Sequence, residues 1–505
     1  MKNRRLFTNI ATGGKDSRTE RNEAVLRAAH RAWAAGAALR ASRARNKRFT
    51  YGDQWGDITT NDEGKRMTEW ERYSEIGETP ITNNLIRQLV KTVVGRFRTE
   101  RKAVTAEGKA DSHAVNYIDE LDSRNLEEFL ISGSCVQRVD EEANISGQRK
   151  VMVTNVNINR FFVNSMSDPL ARDCEIVGQL HDLSIAELLR RTAGNNRRRA
   201  EWIRNLYTVN CDIRTADCAT RLGADSESST EFWWASGTKC RAIEVWTLES
   251  HEVMVTRNKT TGERHVEPVS GGNSRRRTAA DTETYWDVDT SWHCRWFSPM
   301  GDLLTEYESP FGHGEHPFVM KFYPLTDGEV HSMVEDVIDQ QKYVNRLITL
   351  VNHIMSASAK GVLLFPENAI PDGFTWDEVR RVWAQCRGIL PYTTLANGEK
   401  PSQISLNNTD IGAFEMIQLQ LKMLEDVSGV NGALMGRGLN AGNSAALYRS
   451  EVENATAALA DVYETFATFR RERDRKMESI RGTSRSNWSE SRSPRCGAAV
   501  PQRAA

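Results

Sequence analysis

The stretch 329–359, EVHSMVEDVIDQQKYVNRLITLVNHIMSASA, constrains the fold more than any other part of the chain. Its apolar residues include Val337, Ile338, Val344, Leu347, Ile348 and Val351. They recur at the i, i+3, i+4, i+7 spacing of one helix face, and Gln341 is the one polar step in the ladder. A helix of this length is a rod of about 45 Å. Glu335, Asp336, Asp339, Lys342 and Arg346 predict its wet face. A second helix is predicted over 411–427, with Asp410 as its cap. Its apolar residues, among them Phe414, Leu421, Met423 and Leu424, cover more than one face. That predicts burial on several sides, by a partner helix or by neighbouring subunits.

The rest of the chain is read around these two rods. An Ala/Arg-rich helix starts at Arg21, and its basic end (Arg43, Arg45, Lys47, Arg48) reads as a solvated face. FTYGDQWGD, 49–57, is an aromatic turn. TPITNNLIRQLVKTVVGRFRTER is helical, with Gly95 and the cluster Arg96, Arg98, Arg101 and Lys102 suiting a helix end. A helix over 112–139 breaks into a strand at Gly133. From 150 to 325 short strand-like runs dominate, interrupted by a short helix capped by Ser184 and by a polar, Arg-rich surface excursion over 191–240. The insert 360–409 reads as a strand (GVLLFP), a short helix (WDEVRRVWAQC), a strand (GILPYTT) and a polar loop. Trp376 and Trp383 stand i, i+7 on that short helix and share a face, which holds the core of the module or docks another chain. A glycine-rich loop follows the second rod, then a third helix over 445–476, and then a tail over 477–505 that is expected to be disordered.

Length and composition narrow the class. A chain of 505 residues holds about two to four domains. The net charge of −1 sets up no global field toward nucleic acid or membrane. The eight cysteines form no CxxC pair, so buried, reduced thiols are expected rather than a zinc site or a disulfide framework. The N-terminus lacks the apolar core of a signal peptide, and no run approaches the ~20 apolar residues of a bilayer span. A soluble, intracellular protein is expected. The near-motifs fail. GRGLNAG is not GxGxxG and follows a helix, ATGGKDS lacks phosphate-loop spacing, and HGEHP (His313, His316) is neither HExxH nor HxxEH. The sequence therefore predicts no catalytic residues, no cofactor and no metal site.

Taken in order, several stretches resemble the portal proteins of tailed bacteriophages. They are FTYGDQWGD, PITNNLIRQLVKTVVGRFR, LEEFLISGSCVQRV, HPFVMKFYPLTDGEVHSMVEDVIDQQKYVNRLITLVNHIMSAS and NGALMGRGLNAGNSAALYRSEVENA, which together span roughly 50–470. The resemblance implies an α+β portal-type fold. After an N-terminal arm (1–48) come a strand-rich wing (49–328), a first stem helix (329–358), a small α/β clip (359–409), a second stem helix (410–428), a tunnel loop (429–444) and a long helix (445–476). It implies a homo-oligomeric ring of about twelve subunits with closing heterologous contacts and double-stranded DNA in its channel.

The terminase large subunit and the head-completion or adaptor proteins would dock on the clip, through Trp376 and Trp383. Capsid and scaffold proteins would surround a ring made in the host cytoplasm and carried at the virion's portal vertex, with no membrane involved. Asn431, Gly432, Gly436, Arg437, Gly438, Asn440, Gly442 and Asn443 would line the tunnel. Val337, Ile338, Val344, Leu347, Ile348, Val351, Phe414, Leu421 and Leu424 would form the stem seam between subunits. Portal proteins usually carry more helices, the crown, after the long helix; here the sequence runs on as RGTSRSNWSESRSPRCGAAVPQRAA, and no crown is assigned. The competing readings are a DNA-processing enzyme of the packaging apparatus, a motor or nuclease, and a non-viral helical scaffold. The missing phosphate loop counts against the enzyme.

Overall fold

The computed structural model describes residues 15–61, 63–75, 78–99, 116–143, 149–208, 230–235, 239–269, 282–360, 362–371, 373–384, 391–393, 400–404, 412–432, 434, 453–454 and 456–486. In chain order the elements are α1 (Lys15–Ala35), α2 (Ala37–Tyr51), β1 (Ile58–Thr60), β2 (Arg66–Thr68), α3 (Glu69–Glu75), α4 (Leu85–Thr99) and α5 (Ile118–Ser132). Then come β3 (Ser134–Ala143), β4 (Arg149–Asn155), β5 (Phe161–Val163), β6 (Ile176–Leu183), α6 (Ile185–Thr192), α7 (Arg197–Thr208) and α8 (Thr230–Trp233). They are followed by β7 (Cys240–Asn258), β8 (Arg264–Pro268), β9 (Thr282–Phe297), β10 (Leu303–Glu308), β11 (Phe318–Phe322), β12 (Pro324–Thr326) and β13 (Glu329–Val330). The last are α9 (Met333–Lys360), β14 (Val362–Leu364), α10 (Trp376–Ala384), β15 (Ser402–Ile404), α11 (Ala413–Ser428) and α12 (Ala460–Ser486). The fold is α+β, as expected.

The chain divides into two units, one of 1–47, 90–335 and 441–505 and the other of 48–89 and 336–440. In the first, an antiparallel sheet runs β10-β9-β7-β6-β5, with β8 added to β7, and a second runs β11-β3-β4. Alternation along β7 sorts its residues onto two faces. Ile243 and Val245 meet α1 through Val25, Leu26, Ala29 and Trp33, together with Phe232 and Trp233. Ala242 and Trp246 join the other core, with Val136, Trp292, Trp296 and Phe318. The runs AIEVWTLES and HEVMVTRN form one strand, because β9 pairs with it without interruption from Ile243–Phe297 to Asn258–Thr282.

Gly133 ends α5 in a left-handed conformation (φ 67°), donating its N–H to Phe129 O, and Ser184 Oγ accepts the Glu187 N–H at 3.3 Å to cap α6. The 191–240 stretch is not wholly a surface excursion, since Ile203, Phe232 and Trp233 are fully buried. Arg43 is not a solvated charge either; its guanidinium is buried against Glu128 and Asn159 Oδ1. α12 continues to Ser486, so the first ten residues of the expected disordered tail are helical, with Met477 and Ile480 buried. The helix is tied down at its polar positions. Arg473 and Arg470 meet the fully buried Asp122 of α5, and Lys476 Nζ donates to His316 O at 2.8 Å and Phe318 O at 2.9 Å.

The second unit is built on α9. Residues 48–89 group with this helix rather than with the strand-rich body in which they were expected. Gly95 does not end α4, which runs on to Thr99 and carries Arg96 and Arg98 in its last turn. Gln341, Asn345 and Thr349, spaced i, i+4, i+8, form a buried polar lane. The Gln341 side-chain oxygen accepts the N–H groups of Leu85 (2.9 Å) and Ile86 (3.2 Å) at the start of α4, and its amide donates to Asn83 O. Asn345 Oδ1 accepts the Asn83 N–H at 3.0 Å, its amide donates to Gln54 Oε1, and Thr349 Oγ1 accepts the Ile81 N–H at 3.0 Å. The polar step in the ladder is therefore the inside of the unit. Lys342 and Arg346 are not free in water but pair with Asp57 and Glu69.

Candidate assembly surface

α11 begins at Gly412 in a left-handed conformation, without a side-chain cap, and ends at Gly429, also left-handed. Asp410, the expected cap, lies outside the described residues. Successive residues advance by about 100°, so Met416, Leu419, Met423 and Val427 share one stripe. They stay 37%, 49%, 41% and 49% exposed, whereas Leu424 and Ser428 turn inward and are buried. Phe414 is more open still, at 63%. Large apolar side chains on a single stripe are left uncovered by the described residues, unlike singly scattered ones.

The seam expected on α9 is only partly there. Val337, Ile338 and Val344 are buried within the single chain and need no second copy to cover them, while Leu347, Ile348 and Val351 are half-buried. The outward apolar residues of α9 are Tyr343, Leu350 and Met355. On α11, Leu421 is half-buried and Leu424 buried, which leaves Phe414 as the one expected seam residue there that is exposed.

Between the two helices, β14 pairs antiparallel with β15, Val362 opposite Ile404. β15 falls in the stretch read as a polar loop, and the GILPYTT strand lies largely outside the described residues. On α10, Val379 is buried, Trp383 is half-buried, and Trp376 is 43% exposed with its ring edge-on to Phe365 at 6.1 Å. The two tryptophans are thus unequal, Trp376 being the one presented to solvent. After Gly429 the chain turns at once. Val430 is fully buried with its N–H on Ser428 Oγ (3.2 Å), and Asn431 Oδ1 accepts the Leu434 N–H at 3.1 Å. Gly436, Arg437, Gly438, Asn440, Gly442 and Asn443 lie outside the described residues, as does the rest of the expected tunnel loop beyond 434.

The electrostatics of the strand-rich unit centre on buried ion pairs. Desolvation raises the Glu244 carboxyl, but the Arg138 charge and the His181 hydrogen bond outweigh it and hold the group well below the usual carboxylate range. Burial pushes the Cys135 and Cys294 thiols well up, so they stay protonated and inert, as expected of buried thiols. One group of three possible metal ligands, Glu249, His251 and His293, lies together among the described residues. No described helix is long and apolar enough to cross a membrane.

Two antiparallel sheets, a helical unit on a buried polar lane and an exposed apolar helix face make an α+β subunit that fits the portal type. The family model of the phage P22-like portal protein matches residues 157–480, and the chain belongs to that family. No curated protein matches the sequence. The match begins after three of the stretches that carry the resemblance, FTYGDQWGD, PITNNLIRQLVKTVVGRFR and LEEFLISGSCVQRV.

Proposed function

We propose that this portal protein closes into a ring at one capsid vertex, with about twelve copies related by heterologous contacts, and that double-stranded DNA enters and leaves through it. The observation that carries this reading is the exposed stripe Met416–Leu419–Met423–Val427, which calls for an apolar partner that a second copy supplies. Covering the remaining surface of each side chain contributes on the order of 1 kcal/mol, enough to bias assembly without locking it. In this reading the α9 and α11 helices form the stem. The β14–α10–β15 module forms the clip, where Trp376 meets the terminase large subunit and later the head-completion proteins. The strand-rich unit is the wing, in contact with capsid and scaffold. The loop through Arg437 faces the channel, where one guanidinium per subunit forms a circle of charge toward DNA phosphates. The ring performs no chemistry of its own.

The test is Met423→Asp in the exposed stripe, read by light scattering and negative-stain microscopy. A monomer with wild-type circular dichroism is the expected result, and intact rings would place the seam elsewhere. Arg437→Glu should still assemble but lose DNA packaging or retention, and normal packaging would remove Arg437 from the channel wall.

A further inference from the structure

We propose that Glu249, His251 and His293 form a site for one divalent transition ion with a preference for imidazole, of which Zn²⁺ is the model. Glu249 and His251 are two apart on β7 and so project from the same face. β9 lies alongside with Thr247 opposite His293 and Glu249 opposite Ser291, which puts His293 on that face too. It is the α1 side of the sheet, where Ile243 and Val245 pack on the helix one and two steps further along. The ligand atoms of the three residues all lie within 4.8 Å of one another. His293 Nδ1 stands 3.6 Å from Glu249 Oε2. A tetrahedral ion with bonds of about 2.1 Å separates its ligands by about 3.4 Å, so this pair is already spaced for one. The His251 and His293 rings meet at 5.4 Å between centroids.

The carboxylate is held for the task. Glu249 is nearly fully buried, and its Oε1 accepts from Arg295 Nη1 at 2.7 Å and from Thr247 Oγ1 at 3.3 Å. Its Oε2 is left toward His293. That same oxygen is bound by the Arg21 guanidinium of α1, whose side chain is 38% exposed. Arg21 is therefore the cation that an arriving ion displaces from that oxygen, and its partly exposed side chain has water to turn to. On β10, Glu308 lies opposite His293 and adds negative charge near the ligands, while Glu306, opposite Arg295, is paired with Arg18 and Arg295. Two imidazoles and one carboxylate, with an outer position toward solvent, suit zinc and its neighbours rather than Mg²⁺ or Ca²⁺, which take oxygen ligands.

The experiment is isothermal titration of the chelator-treated full chain with ZnCl₂ and, separately, MgCl₂, with bound metal counted by mass spectrometry. One Zn²⁺ per chain and no Mg²⁺ is expected. His251→Ala and His293→Ala, each confirmed folded by circular dichroism, should lower the affinity at least tenfold. Arg21→Met should raise it severalfold, because it removes the competing cation. That result separates the site from a chance surface histidine. Failure to bind Zn²⁺ would overturn the proposal. So would binding that survives both histidine variants, binding lost instead in His265→Ala, or an unchanged affinity in Arg21→Met. A His293→Ala chain that does not fold leaves His251→Ala and Arg21→Met to decide.

Discussion

Replacing Gln341 by leucine keeps the size and apolar character of its neighbours on α9 but empties the centre of the polar lane. Three backbone groups lose a hydrogen bond: the Ile86 N–H, and the Leu85 N–H and Asn83 carbonyl, which keep their bond to each other at 3.0 Å. The Ile86 N–H lies at a fully buried residue and loses the most, about 2 kcal/mol; the other two lie nearer the surface and lose about 1 kcal/mol each. The leucine side chain recovers about 1 kcal/mol of transfer energy. The net cost is about 3 kcal/mol, or roughly a hundredfold in the unfolding equilibrium. Trp55 reports on it, being buried with its Nε1 donating to Thr82 Oγ1 at 2.9 Å in the same unit. Urea unfolding followed by tryptophan fluorescence, with hydrogen exchange at the Ile86 amide, measures the effect. Thr349→Val, which removes the acceptor of the Ile81 N–H alone, should cost about 1 kcal/mol. A Gln341→Leu protein within about 0.5 kcal/mol of wild type would refute the claim that this lane organises the unit.

Asp122→Ala should destabilise the strand-rich unit by about 3 kcal/mol, since it takes the buried carboxylate from the fully buried Arg473 and leaves it with Asp474. The double change with Arg473→Met should recover most of that in thermal denaturation. Acid should weaken the same unit in two steps of one sign. Burial depresses the His181 pKa, so its contribution is complete above about pH 6.5 and falls away below it; the depressed Glu244 carboxyl contributes fully above about pH 4.3 and is lost as pH drops further. Glu244→Gln should flatten the second step in a pH series of melting temperatures. Gly178→Ala should cost about 3 kcal/mol or abolish soluble expression, because a Cβ there meets Glu244 O at 2.2 Å and the Phe162 ring at 2.3 Å.

Local signals were legible where one residue decides the geometry. Gly133 had to end a helix because the chain turns left-handed there, and Ser184 had to begin one because its oxygen reaches the Glu187 N–H. Pairings across hundreds of residues left no such mark. Gln341 looked like a gap in an apolar ladder, since its partners Asn83, Leu85 and Ile86 lie more than 250 positions away. The i, i+4, i+8 run of Gln341, Asn345 and Thr349 was the signal that could have found the lane. Two strands were read where β7 is one, because its polar centre at Glu249, Ser250 and His251 imitates a turn until β9 is laid beside it. On the assembly surface, hydrophobicity located the helices but not their outward faces. Val344 and Met423 are equally plausible from composition, and the covering of Val344 by its own chain separates them.

The carboxylate of Asp122 and the guanidinium of Arg473 are 351 positions apart in the chain. During synthesis the whole of α5, β3 and β11 emerges before α12 exists, so the hydrophobic seat for Phe466 and Phe469 is made and left vacant with an unpaired acid at its floor. Such a long loop must close against its own entropy before any contact repays it. A nascent subunit cannot complete its strand-rich unit until Arg473 is translated, and a chain cut short before it lacks this partner of Asp122. The helix that carries Arg473 thus works as a clasp, fastening a segment made early in the chain to one made much later.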